Sequence, residues 1–302
     1  MKTRVISGIF LGIITVAAGL LGGPAAGIIL AACALLGYHE LCRAAGVLTP
    51  GGAVAEASDE KELITVEMLK KRNHTNALEI LGYGITALYY AGIIFLPEKA
   101  VNSFTLLVIV LLILGEMLIY VVTFPKFHAD QIMTAIFAFL YAPLLLSFLY
   151  RARCLPHGIY IYTLIFFCTW ICDTGAYFAG RFFGKHKMAP ILSPKKTKEG
   201  AVGGVVSSVI LCCLLAVFYD LRHPEQKLHL EIGFMLIGAV GAVISIFGDL
   251  AASAVKRNHN IKDYGDCIPG HGGIMDRFDS VIFTAPNIYF LAVLLLRTIG
   301  EL

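Results

Sequence analysis

Apolar runs long enough to cross a membrane dominate this chain of 302 residues. A helix needs about 20 apolar residues to span the hydrocarbon core. Hydrophobic residues make up 58% of the chain and charged residues only 15%, against about 25% in soluble domains. We therefore predict an all-α, polytopic integral membrane protein with about nine transmembrane helices. The runs are 5–22, 24–42, 76–96, 101–123, 131–150, 158–180, 200–219, 232–254 and 279–297.

The positions of Lys and Arg predict the orientation of these runs. Most of the 24 basic residues fall in segments that share one side if the N-terminus is cytoplasmic and every run crosses, as the positive-inside rule requires. The start of the chain, Met1-Lys2-Thr3-Arg4 and an apolar run, could also be a signal peptide. Because no clear small-x-small cleavage site stands out, we predict a retained first span. We therefore expect a multi-pass protein of the cell inner (cytoplasmic) membrane.

This arrangement divides the chain into two predicted parts. Residues 1–150 would hold about five helices and a cytoplasmic loop near 43–75. Residues 151–302 would hold about four helices with cytoplasmic loops at 181–199 and 255–278, where the chemistry is expected.

Charge and cysteine content exclude some other classes of protein. A net charge of +3 is too small to indicate nucleic acid as a partner. No pair of the eight cysteines has C-x-x-C spacing, so neither a disulfide framework nor a zinc site is predicted. Among the acidic residues in or beside apolar runs, Glu116 looks the most buried, and we expect its carboxyl to hydrogen-bond between helices.

The segment from Ser253 to Asp279 combines carboxylates, cations and glycines at a membrane boundary. Asp249 and Ser253 are four residues apart and share one face at the end of a helix. Glycines around the Pro-Gly-His-Gly-Gly turn let the backbone approach a ligand closely. Mg²⁺ prefers carboxylate oxygens shared with substrate phosphates, and Lys and Arg suit phosphate oxygens. The segment therefore predicts a metal–nucleotide site with Asp249, Asp276, Lys256, Arg257 and Ser253 as candidate catalytic residues.

Further residues are candidates for holding the substrate or the metal. The predicted substrate-binding residues are Ser193, Lys196, Lys198, Lys262, His271 and Arg277. A histidine between glycines could simply hydrogen-bond the turn. Because a phosphate monoester is largely dianionic at neutral pH, His271 is otherwise predicted as a positioning residue and not a base. Asp173 lies near the inner end of the sixth run and is expected to join Asp249 and Asp276. Amides at the helix start near Gly200 would favour phosphate.

These motifs resemble the signature of the phosphatidate cytidylyltransferases, also called CDP-diacylglycerol synthases. The resemblance rests on Lys256-Arg257, Lys262-Asp263, the Pro-x-His-Gly-Gly core and Asp276-Arg277-x-Asp279, and on Ser193-Pro-Lys-Lys-Thr-x-Glu-Gly. It implies an all-helical homodimer in the bilayer with a cytosol-facing cavity. It also implies a magnesium-dependent reaction of CTP with phosphatidic acid that gives CDP-diacylglycerol and pyrophosphate.

The resemblance implies metal roles as well. The residues that match Asp249 and Asp276 would be metal ligands, with a monovalent cation such as K⁺ as a second ion. Two alternatives stay open at this point. Another CTP-using lipid enzyme, such as a polyprenol kinase or an archaeal-lipid cytidylyltransferase, would share the basic and acidic groups. A transporter could use Asp173, Asp249 and Asp276 as an ion relay, although we see no internal repeat of the kind common in transporters.

Overall fold

The structure is a computed structural model, which describes residues 2–47, 75–224, 230–265, 267 and 272–302. Most of the predicted cytoplasmic loop near 43–75 lies outside the described residues, and so does the predicted substrate-binding residue His271. Side chains are described from residue 12 onward.

Helices account for nearly all of the described chain, as the apolar runs predict. The first half contains α1 (Lys2–Leu21), α2 (Gly23–Ala44), α3 (Ala77–Phe95), α4 (Glu98–Thr123), α5 (Ala129–Phe139) and α6 (Leu145–Cys154). The second half contains α7 (Gly158–Phe166), α8 (Cys172–Phe183), α9 (Lys198–Arg222), α10 (Glu231–Asn258) and α11 (Met275–Thr298).

Two of these helix pairs are joined without a break in the helical rod. A π-helical turn at Leu140–Leu144 links α5 to α6, and another at Phe167–Ile171 links α7 to α8. The first contains Pro143, which cannot donate an amide hydrogen bond. Each joined rod is then 26 residues long, which is enough to cross a bilayer.

The all-α, polytopic prediction is confirmed. Within the part of the chain that the structure describes, eight helical rods are long and apolar enough to cross a membrane. The most apolar is α4, with a mean hydropathy of 2.7, and its outer face exposes Leu106, Leu118 and Val121. Such a face is stable against lipid tails and costly in water. The first predicted run is helical as α1.

The first compact unit comprises residues 1–147 and 256–278. Its helices approach closely at glycines. A Cβ at Gly82 of α3 would overlap the Tyr38 ring of α2, and a Cβ at Gly115 of α4 would lie 2.8 Å from Leu81 of α3. These glycines therefore let α2, α3 and α4 pack closely at small residues, as is common between helices in membranes.

The second compact unit comprises residues 148–255 and 279–302. In this unit α8 packs against α9 along small residues. A Cβ at Gly204 would lie 2.7 Å from the carbonyl oxygen of Cys172, and one at Gly200 would lie 2.8 Å from the carbonyl oxygen of Ala176. The Gly200-to-Gly204 spacing is thus a helix-packing feature here.

A short β-hairpin replaces the irregular loop that the sequence predicts before α9. Strand β1 (Lys187–Ala189) pairs antiparallel with β2 (Ser193–Thr197), with Lys187 opposite Thr197 and Ala189 opposite Ser193. The sequence did not indicate these strands, because Pro and Lys residues are poor strand formers. Pairing within the hairpin fixes the basic segment immediately before α9.

Candidate active site

Asp276 is the most enclosed of the predicted catalytic carboxylates. Its Oδ1 accepts a hydrogen bond from the Lys256 ammonium at 3.0 Å. Its Oδ2 accepts the backbone N–H groups of Tyr264 at 2.8 Å and Gly273 at 3.0 Å. The side chain is only 3% exposed. A buried carboxylate is stable when cations and hydrogen-bond donors compensate its charge, and all three groups here supply that compensation.

Lys256 is held by the same group of residues. Its ammonium lies 5.3 Å from the centre of the Tyr264 ring, in cation–π geometry. Arg257, the next residue, donates to the carbonyl oxygen of Ile261 at 3.4 Å. The structure therefore brings the predicted residues Lys256 and Asp276 together within the first unit.

Two residues of α2 also contact this segment, although the sequence did not predict these contacts. Glu40 accepts the backbone N–H groups of Ile274 and Met275. Arg43, which is one turn later on α2, donates to the carbonyl oxygen of Tyr264 at 3.4 Å. Both side chains are buried. The one available signal was the presence of charged residues at the end of an apolar run, where ionisable groups are by default functional candidates.

In the second unit, Lys196 of β2 forms an ion pair with Asp249 of α10. Both side chains are about one-quarter exposed, at 26% and 25%. Asp173 of α8 interacts electrostatically with both of them. Asp173, Lys196 and Asp249 therefore form a charged group in this unit. Two of the three candidate metal ligands, Asp173 and Asp249, thus belong to one group, as the sequence predicts. Asp276 belongs to the first unit, and its predicted association with Asp249 stays a prediction.

Hydrogen bonds at the base of the hairpin hold Lys196 in place. The hydroxyl of Thr197 caps α9 by accepting from the N–H of Gly200 at 3.1 Å. Glu199 accepts the backbone N–H groups of Lys185 and His186 and also bonds the His186 ring at 2.6 Å. The start of α9 and the chain before the hairpin are thereby joined.

These contacts change one expectation about phosphate binding. The N–H of Lys198 donates to the carbonyl oxygen of His186 at 2.9 Å, and the N–H of Gly200 donates to Thr197. Two of the first three amides of α9 are therefore already used within the protein. Phosphate contacts near this helix should come from lysine side chains, such as the exposed Lys198.

For the remaining predicted site residues, the structure gives a position and a degree of burial. Ser253 lies on α10 one turn after Asp249 and is partly buried. Ser193 pairs in the hairpin, Lys262 is exposed, and Arg277 is partly buried in the first turn of α11. Their roles in substrate binding stay predictions.

The carboxylates present suit Mg²⁺, which proteins usually bind through one or two carboxylates together with substrate phosphates. A carboxylate oxygen has about two lone-pair sites. Oδ2 of Asp276 accepts two backbone N–H groups, whereas Oδ1 accepts only Lys256 among the contacts above, so Oδ1 is the oxygen that suits a cation. Among the described side chains, no group of three or more His, Cys, Asp or Glu residues could hold a metal alone.

The interhelical hydrogen bond expected of Glu116 is not formed. Both of its carboxylate oxygens are buried without a hydrogen-bond partner in the described structure. By contrast, the carboxylate of Glu79 on α3 forms hydrogen bonds with the ring nitrogen of His39 and with the hydroxyl of Tyr83. Glu116 is thus a buried carboxyl that protein donors do not satisfy.

Comparison with known proteins relates the chain to one family along nearly its whole length. The sequence profile of the cytidylyltransferase family matches residues 2–295. A phosphatidate cytidylyltransferase of Staphylococcus saprophyticus is 33% identical over 239 residues, which cover 77% of this chain and 85% of the relative. The Staphylococcus haemolyticus protein of the same name is 32% identical over 236 residues, which cover 76% and 87%. The one from Synechocystis is 43% identical over 147 residues, about half of each chain.

Proposed function

The chain belongs to the cytidylyltransferase family and is a membrane-bound nucleotidyltransferase that makes CDP-diacylglycerol from CTP and phosphatidic acid, and we propose how its residues carry out that reaction. The observation that carries the proposal is the pairing of acidic and basic side chains, Lys256 with Asp276 and Lys196 with Asp249. Three of these four charged residues lie on membrane-length helices, where ionisable side chains are by default functional candidates.

The chemical problem at this site is repulsion between two anions. A phosphate monoester has its second pKa near 6, so phosphatidic acid is largely dianionic at neutral pH. The nucleophile therefore needs little help from a general base. The site must instead neutralise the triphosphate and hold the attacking oxygen in line with the α-phosphorus.

The basic side chains supply that neutralisation in our proposal. Lys256 and Arg257 lie at the end of α10, Lys196 lies in β2, and Lys198 is the first residue of α9. We assign them to the phosphate oxygens of CTP. When CTP binds, Lys256 can shift from Asp276 to the nucleotide, because phosphate offers the same charge-assisted hydrogen bond.

The acidic side chains are assigned to the metal. Asp249 and Asp276 each offer a carboxylate to Mg²⁺, with Asp173 as a further candidate. A bound Mg²⁺ would neutralise charge on the phosphates and orient them. In the proposed reaction the monoester oxygen forms a bond to the α-phosphorus of CTP, the bond from that phosphorus to the β-phosphate oxygen breaks, and pyrophosphate leaves.

Label transfer tests the reaction directly. The purified full-length protein in detergent receives Mg²⁺, phosphatidic acid and CTP labelled on the α-phosphate. Label that enters the lipid with phosphatidic acid, not with diacylglycerol, and that is lost when a chelator removes Mg²⁺, supports the proposal. Label from γ-labelled CTP in the lipid would indicate a CTP-dependent lipid kinase instead. No labelled lipid under varied ions and lipids would favour the transporter alternative.

We also propose that the site faces the cytoplasm, since the Lys and Arg residues concentrate in segments predicted to lie there. Lys195 of β2 is exposed and is a suitable reporter. A Lys195→Cys protein should react with a membrane-impermeant maleimide in inverted vesicles and not in right-side-out vesicles, above the background of the unmodified protein. The opposite result would reverse the orientation. The homodimer and the monovalent second ion remain proposals that rest on the family resemblance.

A further inference from the structure

We infer that Glu40, on α2, is a positioning residue for cytidylyl transfer, because it holds the piece of backbone that carries Asp276. The inference rests on the proposed role of Asp276 in the site. Glu40 lies in the first helical pair of the chain, far in sequence from the family signature. Its side chain is fully buried, with 0% of its surface exposed.

The contacts of Glu40 are made with both carboxylate oxygens. Oε1 accepts the backbone N–H of Ile274 at 3.0 Å, and Oε2 accepts the backbone N–H of Met275 at 2.9 Å. Met275 is the first residue of α11. Amides at a helix N-terminus lack partners within the helix, and a negative charge there is favourable. Glu40 thus caps α11 from a different helix.

Glycines shape the chain around this carboxylate. A Cβ at Gly265 or at Gly273 would overlap the carboxylate of Glu40. Gly272 has a φ of +87°, a conformation that other residues rarely adopt. The sequence predicts that Gly272 and Gly273 let a ligand approach closely. In the structure, Gly273 and also Gly265 make room for a glutamate of the protein itself.

The same backbone that surrounds Glu40 also surrounds Asp276. The N–H of Gly273 donates to Asp276 Oδ2, while the next two amides donate to Glu40. The N–H of Tyr264 donates to Asp276, and its carbonyl oxygen accepts from Arg43. Glu40 and Arg43 therefore fix both stretches of chain that direct Asp276 toward Lys256.

The charge of Glu40 is needed as well as its size. Both oxygens face N–H donors, so the residue must offer two acceptors. Glutamine offers one acceptor and one NH₂ group, which would oppose an amide N–H. Glu40→Gln should therefore release either Ile274 or Met275 while it preserves the volume of the side chain.

Full-length Glu40→Gln protein tests the inference against Glu116→Gln as a matched control. Both change a buried glutamate of the first unit, but the carboxylate oxygens of Glu116 have no hydrogen-bond partner among the described residues. We expect kcat to fall about 10- to 100-fold in Glu40→Gln, as for residues that orient metal ligands, with a higher Mg²⁺ concentration at half-maximal activity. Amides 273–276 should exchange hydrogen faster, measured by mass spectrometry. Glu116→Gln should keep the kcat, the Mg²⁺ dependence and the hydrogen exchange of the wild type.

A double-variant cycle gives a second test that does not depend on the fold of Glu40→Gln. Gly273→Ala introduces a Cβ that overlaps the carboxylate, and Glu40→Asp shortens that side chain. If the two groups interact as described, the loss of activity in the double variant is smaller than the product of the single losses. Independent losses would overturn the inference.

Failure of the inference can be separated from failure of the proposed function. If the wild-type protein transfers no label, the proposed function is wrong. If the wild type transfers label but Glu40→Gln has unchanged kcat, Mg²⁺ dependence and hydrogen exchange, only the role of Glu40 is wrong. A Glu40→Gln protein that loses activity with unchanged exchange at 273–276 would also contradict it.

Discussion

The ammonium of Lys256 donates to Asp276 Oδ1 at 3.0 Å, and the two residues are 20 positions apart in the chain. The carboxylate of Asp276, which also accepts the N–H groups of Tyr264 and Gly273, is only 3% exposed to solvent. A cation or a nucleotide that reaches this group must compete with an existing ion pair. In the free enzyme, Lys256 and two backbone N–H groups therefore already hold the Asp276 side chain before the substrate arrives.

Removal of this carboxylate should affect activity and stability together. In Asp276→Asn the amide group cannot accept all three hydrogen bonds, so Lys256 or a backbone N–H is left without compensation. An unsatisfied buried group costs about 1–3 kcal/mol. We expect loss of label transfer and a lower melting temperature by fluorescence in detergent. An Asp276→Asn protein with wild-type turnover would refute the metal assignment of this residue.

Asp249→Asn should behave differently. The side chains of the Lys196–Asp249 pair are about one-quarter exposed, so water screens this pair more than the Lys256–Asp276 pair, whose side chains are 13% and 3% exposed. We expect turnover to be lost at ordinary Mg²⁺ while the melting temperature stays close to that of the wild type. Label transfer and thermal unfolding, measured on the same preparation, check this contrast with Asp276→Asn. Full activity would remove Asp249 from the proposed metal ligands.

Thr197 is expected to matter for the hairpin that presents Lys196. Thr197→Ala removes the cap of α9, which costs about 1 kcal/mol, and should raise KM for CTP more than it lowers kcat. Steady-state kinetics at varied CTP measure the effect. Thr197→Ser keeps the hydroxyl and serves as the control. Equal kinetics for the Ala and Ser proteins would show that the cap has no part in holding Lys196.

Close packing of α8 on α9 predicts a difference between two glycines. A Cβ at Gly204 would lie 2.7 Å from the backbone oxygen of Cys172, whereas a Cβ at Gly84 of α3 has no neighbour within 4 Å. Gly204→Ala should therefore lower the melting temperature. Gly84→Ala should leave it unchanged or raise it, since Ala is better than Gly in a helix by about 0.5–1 kcal/mol. Equal effects would contradict the described packing.

Glu116 offers a stabilising substitution. Its carboxyl is buried without a hydrogen-bond partner among the residues that the structure describes. Such burial costs free energy that an apolar side chain of similar size does not. Glu116→Met should raise the melting temperature and keep cytidylyl transfer. A lower melting temperature would indicate that the Glu116 carboxyl has a hydrogen-bond partner in the membrane beyond the contacts described here.

The sequence predicts the helices well because each apolar run has to satisfy its own backbone within the bilayer. The charge types in one short segment place Lys256 and Asp276 in the same candidate site, but they do not predict that the two side chains pair with each other. The contact of Glu40 with Ile274 could not be predicted, since 234 residues separate them and no spacing rule applies. The hairpin was missed because its strands are short and rich in lysine, and the pairing of Lys187 with Thr197 depends on the cap of α9 and on Glu199.

The π-helical turn at Phe167–Ile171 places one additional residue in the helix just before Asp173. Such turns are frequent at functional sites, and each residue of an α-helix rotates the chain by about 100°. A descendant of this protein that lost one residue here would keep a continuous helix, but every side chain beyond that point would turn to a new face. The length of this span is therefore more constrained than its sequence. We expect the number of residues between Phe166 and Asp173 to be inherited more strictly than their identities.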